Sequence, residues 1–170
     1  MSIIIRPIKN TDNAALAKIL RDSLEEFDVP KEGTVYTDPT TDNLHDLFKQ
    51  ANSVYYVAEE DGVILGGCGV YPTEGLPKGY AELVKFYLSN KSRGKGIGKM
   101  MLEKCFTSAL ELGYTHLYLE SFPQFEKAVS MYEKAGFEML SAPLGNSGHF
   151  ACTIWMLKTL NRSTKSDTAF

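Results

Sequence analysis

The sequence predicts a single α/β (α+β) domain that contains about seven strands and about four helices. In some stretches apolar and polar residues alternate, as in strands, and in others apolar residues recur every third or fourth position, as in helices. The chain has 170 residues, of which 44% are hydrophobic and 23% charged, which is typical of one globular domain. No linker, internal repeat or low-complexity block divides it, so both kinds of element should share one core.

The strands are expected at residues 3–8, 54–59, 63–70, 80–88, 115–120, 137–140 and 149–158. The first is rich in isoleucine, and Pro7 predicts that it lies at an edge of the sheet. The pair Asp61-Gly62 predicts a tight turn between the second and third strands. Three glycines interrupt the third strand, at Gly66, Gly67 and Gly69. Glycines inside a strand indicate either tight packing or the close approach of a ligand.

The helices are expected at residues 12–29, 44–48, 97–112 and 123–136. The first follows capping oxygens at Thr11 to Asn13 and ends before Pro30. Gly113 and Gly136 end the third and fourth helices. Residues 161–170 are polar and aperiodic, so we expect a flexible C-terminal tail after a domain at residues 1–160.

Composition and charge argue against several classes of function. The net charge is −3, whereas nucleic-acid-binding domains are commonly basic. No apolar run approaches the roughly 20 residues that cross a bilayer, and no signal-like segment begins the chain. We therefore expect a cytoplasmic protein that binds neither nucleic acid nor membranes. Cys68, Cys105 and Cys152 are odd in number and widely spaced, so we expect inert thiols rather than disulfides or a metal site.

Residues Ser92 to Lys99 have the composition of an anion-binding loop. Three glycines, one arginine and two lysines lie between an apolar strand and the start of a helix. Glycines let the backbone approach an anion closely, and the free amides and dipole of a helix N-terminus attract negative charge. The spacing fits neither a P-loop nor a dinucleotide fingerprint. A glycine-rich turn with solvated lysines is the alternative.

Two motifs resemble those of the GNAT superfamily of N-acetyltransferases. The pattern Arg-x-x-Gly-x-Gly from Arg93 to Gly98 resembles the family's acyl-CoA pyrophosphate loop. Leu119-Glu120-Ser121 and then Ala128 to Phe137 resemble the family's later strand and helix, in the same order. The resemblance covers roughly Ile3 to Leu157. It implies a three-layer fold whose mixed, mostly antiparallel sheet is splayed around the acyl-CoA site, and it leaves a homodimer open, since many relatives dimerise.

The resemblance implies acetyl-CoA as the co-substrate, with no metal. A backbone amide near Leu88 would polarise the thioester where two strands splay and the pantetheine arm pairs as an extra strand. The expected cofactor-binding residues are Phe86, Tyr87, Leu88, Arg93, Gly94, Lys95, Gly96, Ile97, Gly98 and Lys99. The chain departs from the family at Phe125, where many members have an asparagine that binds the pantetheine arm. Gln124 or Ser121 could supply that contact instead.

Glu82 is the candidate general base. Strict alternation in its strand puts it on the same face as Val84, Phe86 and Leu88, where burial would raise the pKa of its carboxyl. The alternative is a strand-end glutamate that reaches solvent or a lysine. The family often has its catalytic glutamate at this kind of position. Since alkyl amines are mostly protonated at neutral pH, loss of the base should matter most at low pH.

Tyr132 is the candidate general acid, and this role rests on the resemblance. Its position on a helix is by itself typical of packing. A phenol with a pKa of about 10 can protonate a departing thiolate with a pKa of about 8.5 from hydrogen-bond distance.

The sequence says least about the molecule that accepts the acetyl group. Glu25, Glu26 and Asp28 would either attract a cationic amine or form a solvated acidic helix end. His149 would either border the acceptor pocket or be structural. The leading hypothesis is an acetyl-CoA-dependent N-acetyltransferase that acetylates a primary amine of a small molecule by direct attack in a ternary complex. A protein lysine or N-terminus is the alternative acceptor. A non-catalytic acyl-CoA sensor is the alternative class, although the presence of both Glu82 and Tyr132 argues against it.

Overall fold

The computed structural model describes residues 2–161, so nearly all of the expected tail, residues 161–170, lies outside the described part. Within that part the chain forms seven strands and four α-helices, together with three short 3₁₀ helices. The strands are β1 (Ile3–Pro7), β2 (Val54–Glu60), β3 (Val63–Tyr71), β4 (Tyr80–Leu88), β5 (His116–Ser121), β6 (Glu138–Met139) and β7 (Ile154–Thr159). The helices are α1 (Asn13–Glu26), α2 (Leu44–Leu47), α3 (Ile97–Glu111) and α4 (Glu126–Lys134).

The strands form one mixed sheet in the order β1-β2-β3-β4-β5-β7-β6. Every neighbouring pair is antiparallel except β4 and β5. These two are parallel and pair only over Tyr80–Glu82 and His116–Tyr118. Beyond these residues β4 pairs only with β3, and β5 pairs only with β7. The sheet therefore splits between β4 and β5. The mixed, mostly antiparallel and splayed sheet is thereby confirmed, with β1 at an edge.

Helices cover both faces of the sheet and give three layers. On one face Leu16, Leu20 and Leu24 of α1 pack against Tyr55 and Val57 of β2. On the other face α3 and α4 bury a larger cluster, which includes Ile97, Met101, Leu102, Cys105, Val129 and Tyr132. The helical spacing of these apolar residues explains the two buried faces. No helix between residues 2 and 161 has the length and apolarity needed to span a membrane.

Two elements begin several residues later than predicted. β7 begins at Ile154 rather than His149, because residues 149–153 form a turn in which the Cys152 amide donates to the His149 carbonyl at 3.2 Å. α4 begins at Glu126 rather than Pro123, because the Phe125 amide donates to the Phe122 carbonyl at 3.1 Å and closes a turn first.

Packing explains the three glycines of β3. A Cβ at Gly67 would lie 2.3 Å from the ring of Tyr55, and one at Gly69 would lie 2.7 Å from the same ring. At Gly66 the clash would be with the Tyr87 carbonyl oxygen, at 2.1 Å. The Tyr55 ring thus lies directly on β3, and its hydroxyl donates to the Lys85 carbonyl of β4 at 2.8 Å.

β4 contains a bulge at Lys85 that alternation does not predict. Gly67 pairs with Tyr87 and Gly69 pairs with Val84, so two residues of β4 lie opposite one residue of β3. Lys85 has a φ of 50°, in the left-handed region. The extra residue reverses the alternation, since Ala81 and Leu83 before it and Phe86 and Leu88 after it all contact the core under α3 and α4.

The prediction that Glu82 shares a face with Phe86 and Leu88 was therefore wrong. Glu82 points to the opposite face, where its carboxylate accepts a hydrogen bond from Thr73, in the loop between β3 and β4. The prediction attributed the burial of Glu82 to an apolar face of the strand. In the structure the loop that contains Thr73 contacts the Glu82 side chain instead.

Candidate active site

A cleft of about 550 Å³ lies where β4 and β5 separate. Because the sheet is split there, residues from both of its faces contribute, including Ile97 and Tyr132 on one side and Glu82 and Lys85 on the other. The glycine loop forms one end of the cleft. Polar side chains from β4, β5 and the loop before β7 form the other end, which we call the acceptor end (Glu82, Lys85, Glu120 and His149).

Most of the expected cofactor-binding residues line the cleft. They are Phe86, Tyr87, Leu88, Arg93, Gly94, Gly96, Ile97, Gly98 and Lys99. Lys95 points elsewhere, because its Nζ lies 2.5 Å from a carboxylate oxygen of Glu60 on β2.

The glycines of the loop serve two different purposes. Gly94 and Gly96 have φ angles of 79° and 72°, and no atom lies within 4 Å of a Cβ built at either position. They are needed for the left-handed backbone. A Cβ at Gly98 would instead lie 2.9 Å from Met131 Sδ, so this glycine lets α3 approach α4. Gly96 is the N-cap of α3 and supplies no side-chain cap to the first-turn amides, which leaves them suited to an anion.

Arg93 connects the loop to α1. Its guanidinium forms an ion pair with Glu26 and lies 5.9 Å from the ring centroid of Phe27. Glu25 accepts a hydrogen bond from the Tyr36 hydroxyl at 2.6 Å. Glu26 therefore pairs with a cleft residue at the glycine-loop end, and Glu25 pairs with Tyr36 outside the cleft. Both carboxylates already have partners in the protein, which argues against contact with an amine.

Phe125 belongs to an aromatic cluster. Its ring centroid is 5.2 Å from that of Phe27 and 6.1 Å from those of Tyr87 and Phe122. An apolar ring therefore lines the cleft at the position where the resemblance implies an asparagine. Ser121 is buried and also lines the cleft, whereas Gln124 is exposed and does not, so Ser121 is the better placed of the two polar candidates.

Glu82 is 4% exposed at the acceptor end. The Thr73 hydroxyl donates to its Oε1 at 2.6 Å. Burial raises the pKa of the Glu82 carboxyl to about 8, with the nearby Glu120 carboxylate adding to the increase, although Thr73 and Lys85 oppose it. The group therefore titrates close to neutral pH, as a general base should.

Tyr132 lies on the opposite wall, 7% exposed, with its ring centroid 6.1 Å from that of Phe86. Burial raises the pKa of its phenol well above the usual value of 10, so it carries a proton that it can donate. Cys152 also lines the cleft, and burial raises the pKa of its thiol to about 12. The Cys152 thiolate would therefore be a stronger base than a thiolate in water.

An ionic cluster at the acceptor end was not predicted from the sequence. Asp38 Oδ2 lies 2.9 Å from His149 Nε2 and 3.4 Å from Lys85 Nζ. Burial tends to raise the pKa of Asp38, but the hydrogen bond from His149 and the charge of Lys85 hold it well below its usual range. Asp38 and His149 are 111 residues apart in the sequence, so no local pattern could have indicated that they meet.

Glu120 is also held by hydrogen bonds. It accepts one from the Tyr118 hydroxyl, at 2.7 Å, and one from the Ser147 hydroxyl. Ser147 and His149 belong to the β6–β7 loop (residues 140–153), and the Leu144 amide of the same loop donates to the Tyr118 hydroxyl at 3.1 Å. This loop therefore covers the acceptor end, and we call the covering segment (residues 140–153) the roof.

A family model described as the acetyltransferase (GNAT) family matches residues 16–137, more than half of the chain. The chain belongs to the GNAT family of acetyltransferases. It is 32% identical to YjgM of Escherichia coli K12, an uncharacterized N-acetyltransferase, over 94% of this chain and 96% of that one.

Solved GNAT structures share the fold. A GNAT acetyltransferase from Staphylococcus aureus Mu50 superposes with a TM-score of 0.82 at 18% identity, over 94% of this chain and 100% of that one. The structure of yncA from Salmonella typhimurium, determined with its cofactor acetyl-CoA, has a TM-score of 0.75 at 18% identity, over 95% of this chain and 96% of that one.

In this GNAT chain the two motifs that carried the resemblance touch each other. Gly98 in the loop packs on Met131 in α4, and Tyr132 follows Met131 directly. Between residues 2 and 161 the structure contains no group of three or more His, Cys, Asp or Glu side chains able to hold a metal ion.

Proposed function

We propose that the chain transfers the acetyl group of acetyl-CoA to a primary amine of a small molecule, by direct attack in a ternary complex. The observation that carries the proposal is that Glu82 and Tyr132, from two faces of the sheet, line one cleft that also reaches the glycine loop. A base and an acid on opposite walls match the two proton transfers that the reaction needs.

The glycine loop and the first turn of α3 suit the CoA pyrophosphate. Gly94 and Gly96 allow the required backbone, and the amides at the start of the helix attract the negative charge. Lys99, and Arg93 after leaving Glu26, add positive charge. The edge of β4 from Val84 to Leu88 that faces the gap suits the pantetheine arm, because β5 has separated from it.

The acetyl transfer then needs two proton movements. The amine nitrogen attacks the thioester carbonyl carbon, the new C–N bond forms, and the C–S bond breaks. Glu82, directly or through a water, accepts the proton that the nitrogen loses, and the Tyr132 hydroxyl donates a proton to the thiolate sulfur. Solvent later restores both groups.

The high pKa of Tyr132 is compatible with its acid role. The same burial raises the pKa of the Cys152 thiol in this cleft to about 12. A thiolate released nearby would be desolvated in the same way and would be a correspondingly stronger base. Burial thus raises the basicity of the thiolate as well as that of the phenolate, so the raised pKa of Tyr132 does not by itself oppose the transfer.

The roof over the acceptor end supports a small acceptor. The β6–β7 loop is tied down by His149 to Asp38, by Ser147 to Glu120 and by the Asn146 amide, which donates to the Glu74 carbonyl at 2.7 Å. An extended peptide would need an open groove at this end, whereas a small amine needs only a pocket.

Thiol release from acetyl-CoA, measured across small primary amines, lysine-containing peptides and peptides with free N-termini, tests the proposal. We expect the highest kcat/KM with a small amine. Higher values with peptides would favour a protein acceptor. Tight CoA binding without turnover on any amine or peptide would indicate an acyl-CoA sensor.

A further inference from the structure

Lys85 is a buried cation with few partners. Its side chain is 4% exposed, and its Nζ makes one hydrogen bond to residues 2–161, at 3.4 Å to Asp38 Oδ2. An ammonium group has three N–H donors, and burying it without partners is costly. Two donors therefore remain for a group that enters the cleft that Lys85 lines.

Asp38 does not fully compensate this charge. Its carboxylate already accepts hydrogen bonds from His149 Nε2 at 2.9 Å, from the Thr40 amide at 2.9 Å and from the Thr40 hydroxyl at 2.7 Å. Burial lowers the pKa of Lys85 even though Asp38 and Glu82 act to raise it. The ammonium would thus be stabilised by a further anion.

The backbone holds Lys85 in place at the bulge of β4. Its φ of 50° is uncommon for a residue with a side chain, and the Tyr55 hydroxyl holds its carbonyl at 2.8 Å. Bulges next to active sites redirect side chains. Here the bulge brings Lys85 to the same face of β4 as Glu82, close enough for each charge to affect the pKa of the other.

The acceptor end therefore has complementary parts. Glu82 and Glu120 suit an amino group, and Lys85, which lines the same cleft and interacts electrostatically with Glu82, suits an anion. A polyamine would bring a second cation to the buried ammonium, which like-charge repulsion disfavours. A molecule that carries one amine and one carboxylate matches both parts.

We propose that the acceptor is an amino acid and that Lys85 binds its carboxylate. The inference rests on the proposed function and narrows its substrate class. Lys85 is then a specificity-determining residue, while Glu82 and Tyr132 carry the proton transfers.

The test compares matched acceptors. Each L-amino acid of a panel is assayed beside its carboxamide and its decarboxylated amine, and spermidine is included. We expect the wild type to prefer the best amino acid over its carboxamide by about tenfold or more in kcat/KM, the size of effect that a charge-assisted hydrogen bond supports. Equal or better use of the carboxamide, the simple amine or spermidine would overturn the inference and leave the proposed function intact.

Variants separate recognition from folding. Lys85→Gln should lower kcat/KM for the amino acid about 10- to 100-fold and change that for the carboxamide less than about threefold, whereas Lys85→Arg should keep the preference. Lys158→Gln is the matched control, because Lys158 is a partly buried lysine that donates to the Ala135 carbonyl away from the cleft. Equal losses on acid and carboxamide with Lys85→Gln would assign Lys85 a structural role and contradict the inference.

Calorimetry with the CoA-loaded wild type provides a readout that needs neither turnover nor a variant. Tighter binding of the amino acid than of its carboxamide supports the inference, and equal or weaker binding overturns it. Absence of turnover with every acceptor would overturn only the proposed function.

Discussion

Glu82 differs from an ordinary glutamate because it is buried beside Thr73 and near Glu120. With a pKa of about 8 it is mostly protonated at pH 7, so the wild type itself lacks the ionised base at low pH. The dependence expected from the sequence, a loss on replacement that is largest at low pH, is therefore revised. The loss should be largest above pH 8.

We expect the wild-type kcat/KM to rise with pH through about 8, and Glu82→Gln to abolish this rise with a loss of about 100-fold at pH 9. Initial rates of both proteins at saturating acetyl-CoA, between pH 6 and 9.5, measure this pH dependence. Glu133→Gln, on the exposed side of α4, should keep the wild-type profile. A loss of equal size at every pH would mean that Glu82 positions the substrate instead of accepting the proton.

The same burial predicts a change in stability. The unfolded chain releases the Glu82 proton near the ordinary value of 4.5, whereas the folded chain keeps it up to about 8. Between these values the free energy of unfolding of the wild type falls as pH rises, by at most about 5 kcal/mol. Urea unfolding at pH 5 and pH 8 should show a smaller decrease for Glu82→Gln than for the wild type. Equal decreases would contradict the raised pKa.

Tyr132 should act late in the reaction and leave binding unaffected. We expect Tyr132→Phe to lower kcat about 100-fold with little change in the Kd for acetyl-CoA, because only the proton donated to the thiolate is lost. Rapid-mix kinetics and calorimetry measure the two quantities. Tyr114→Phe is the control, since that hydroxyl donates to the Asn52 carbonyl away from the cleft. An unchanged kcat at saturating substrate would remove Tyr132 from the acid role.

At the scale of the elements, the loop before α3 and the bulge in β4 shape the two ends of the cleft. The loop depends on left-handed glycines, and in the bulge the Lys85 carbonyl is held by the hydroxyl of Tyr55, whose ring packs against Gly67 and Gly69 of β3. The glycine loop is local in the sequence. The bulge involves residues from three strands, β2, β3 and β4.

Gly96→Ala tests the loop with a matched control. Gly96 and Gly62 both have positive φ angles, 72° and 82°, and both have open space where a Cβ would be. Each alanine substitution should cost about 1 kcal/mol of stability, because the left-handed backbone is strained. Only Gly96→Ala should also weaken acetyl-CoA binding, by about tenfold or more, since its methyl group crowds the anion site. Equal affinities in both variants would exclude the loop as the pyrophosphate site.

At the scale of the molecule, the sheet consists of two parts that are joined by few hydrogen bonds. β1–β4 form one part and β5–β7 the other, and they pair only at Tyr80–Glu82. The amides of residues 83–88 that point away from β3 therefore have no strand partner.

Hydrogen exchange should detect a ligand in this gap. We expect acetyl-CoA to slow exchange at residues 83–88, because the pantetheine arm would pair with that edge of β4, and to leave the β2–β3 turn at Asp61-Gly62 unchanged. Mass spectrometry of peptides that cover both segments measures the difference. Protection confined to the glycine loop would contradict the pairing of the arm with β4.

The sequence by itself determined the features that depend on neighbouring residues. Strand and helix periods, the Asp61-Gly62 turn and the loop from Arg93 to Gly98 are local patterns, and each has a local physical cause. The motif order was enough to identify the family, and it named Glu82 and Tyr132, which the structure brings to one cleft.

Only the tertiary structure decided the acceptor end. The bulge at Lys85, whose carbonyl accepts a hydrogen bond from Tyr55 two strands away, reversed the alternation from which the orientation of Glu82 was inferred. Asp38 and His149 meet across 111 residues of sequence. Such contacts are fixed by the packing of distant segments and by the burial that follows, which no local pattern of residues encodes.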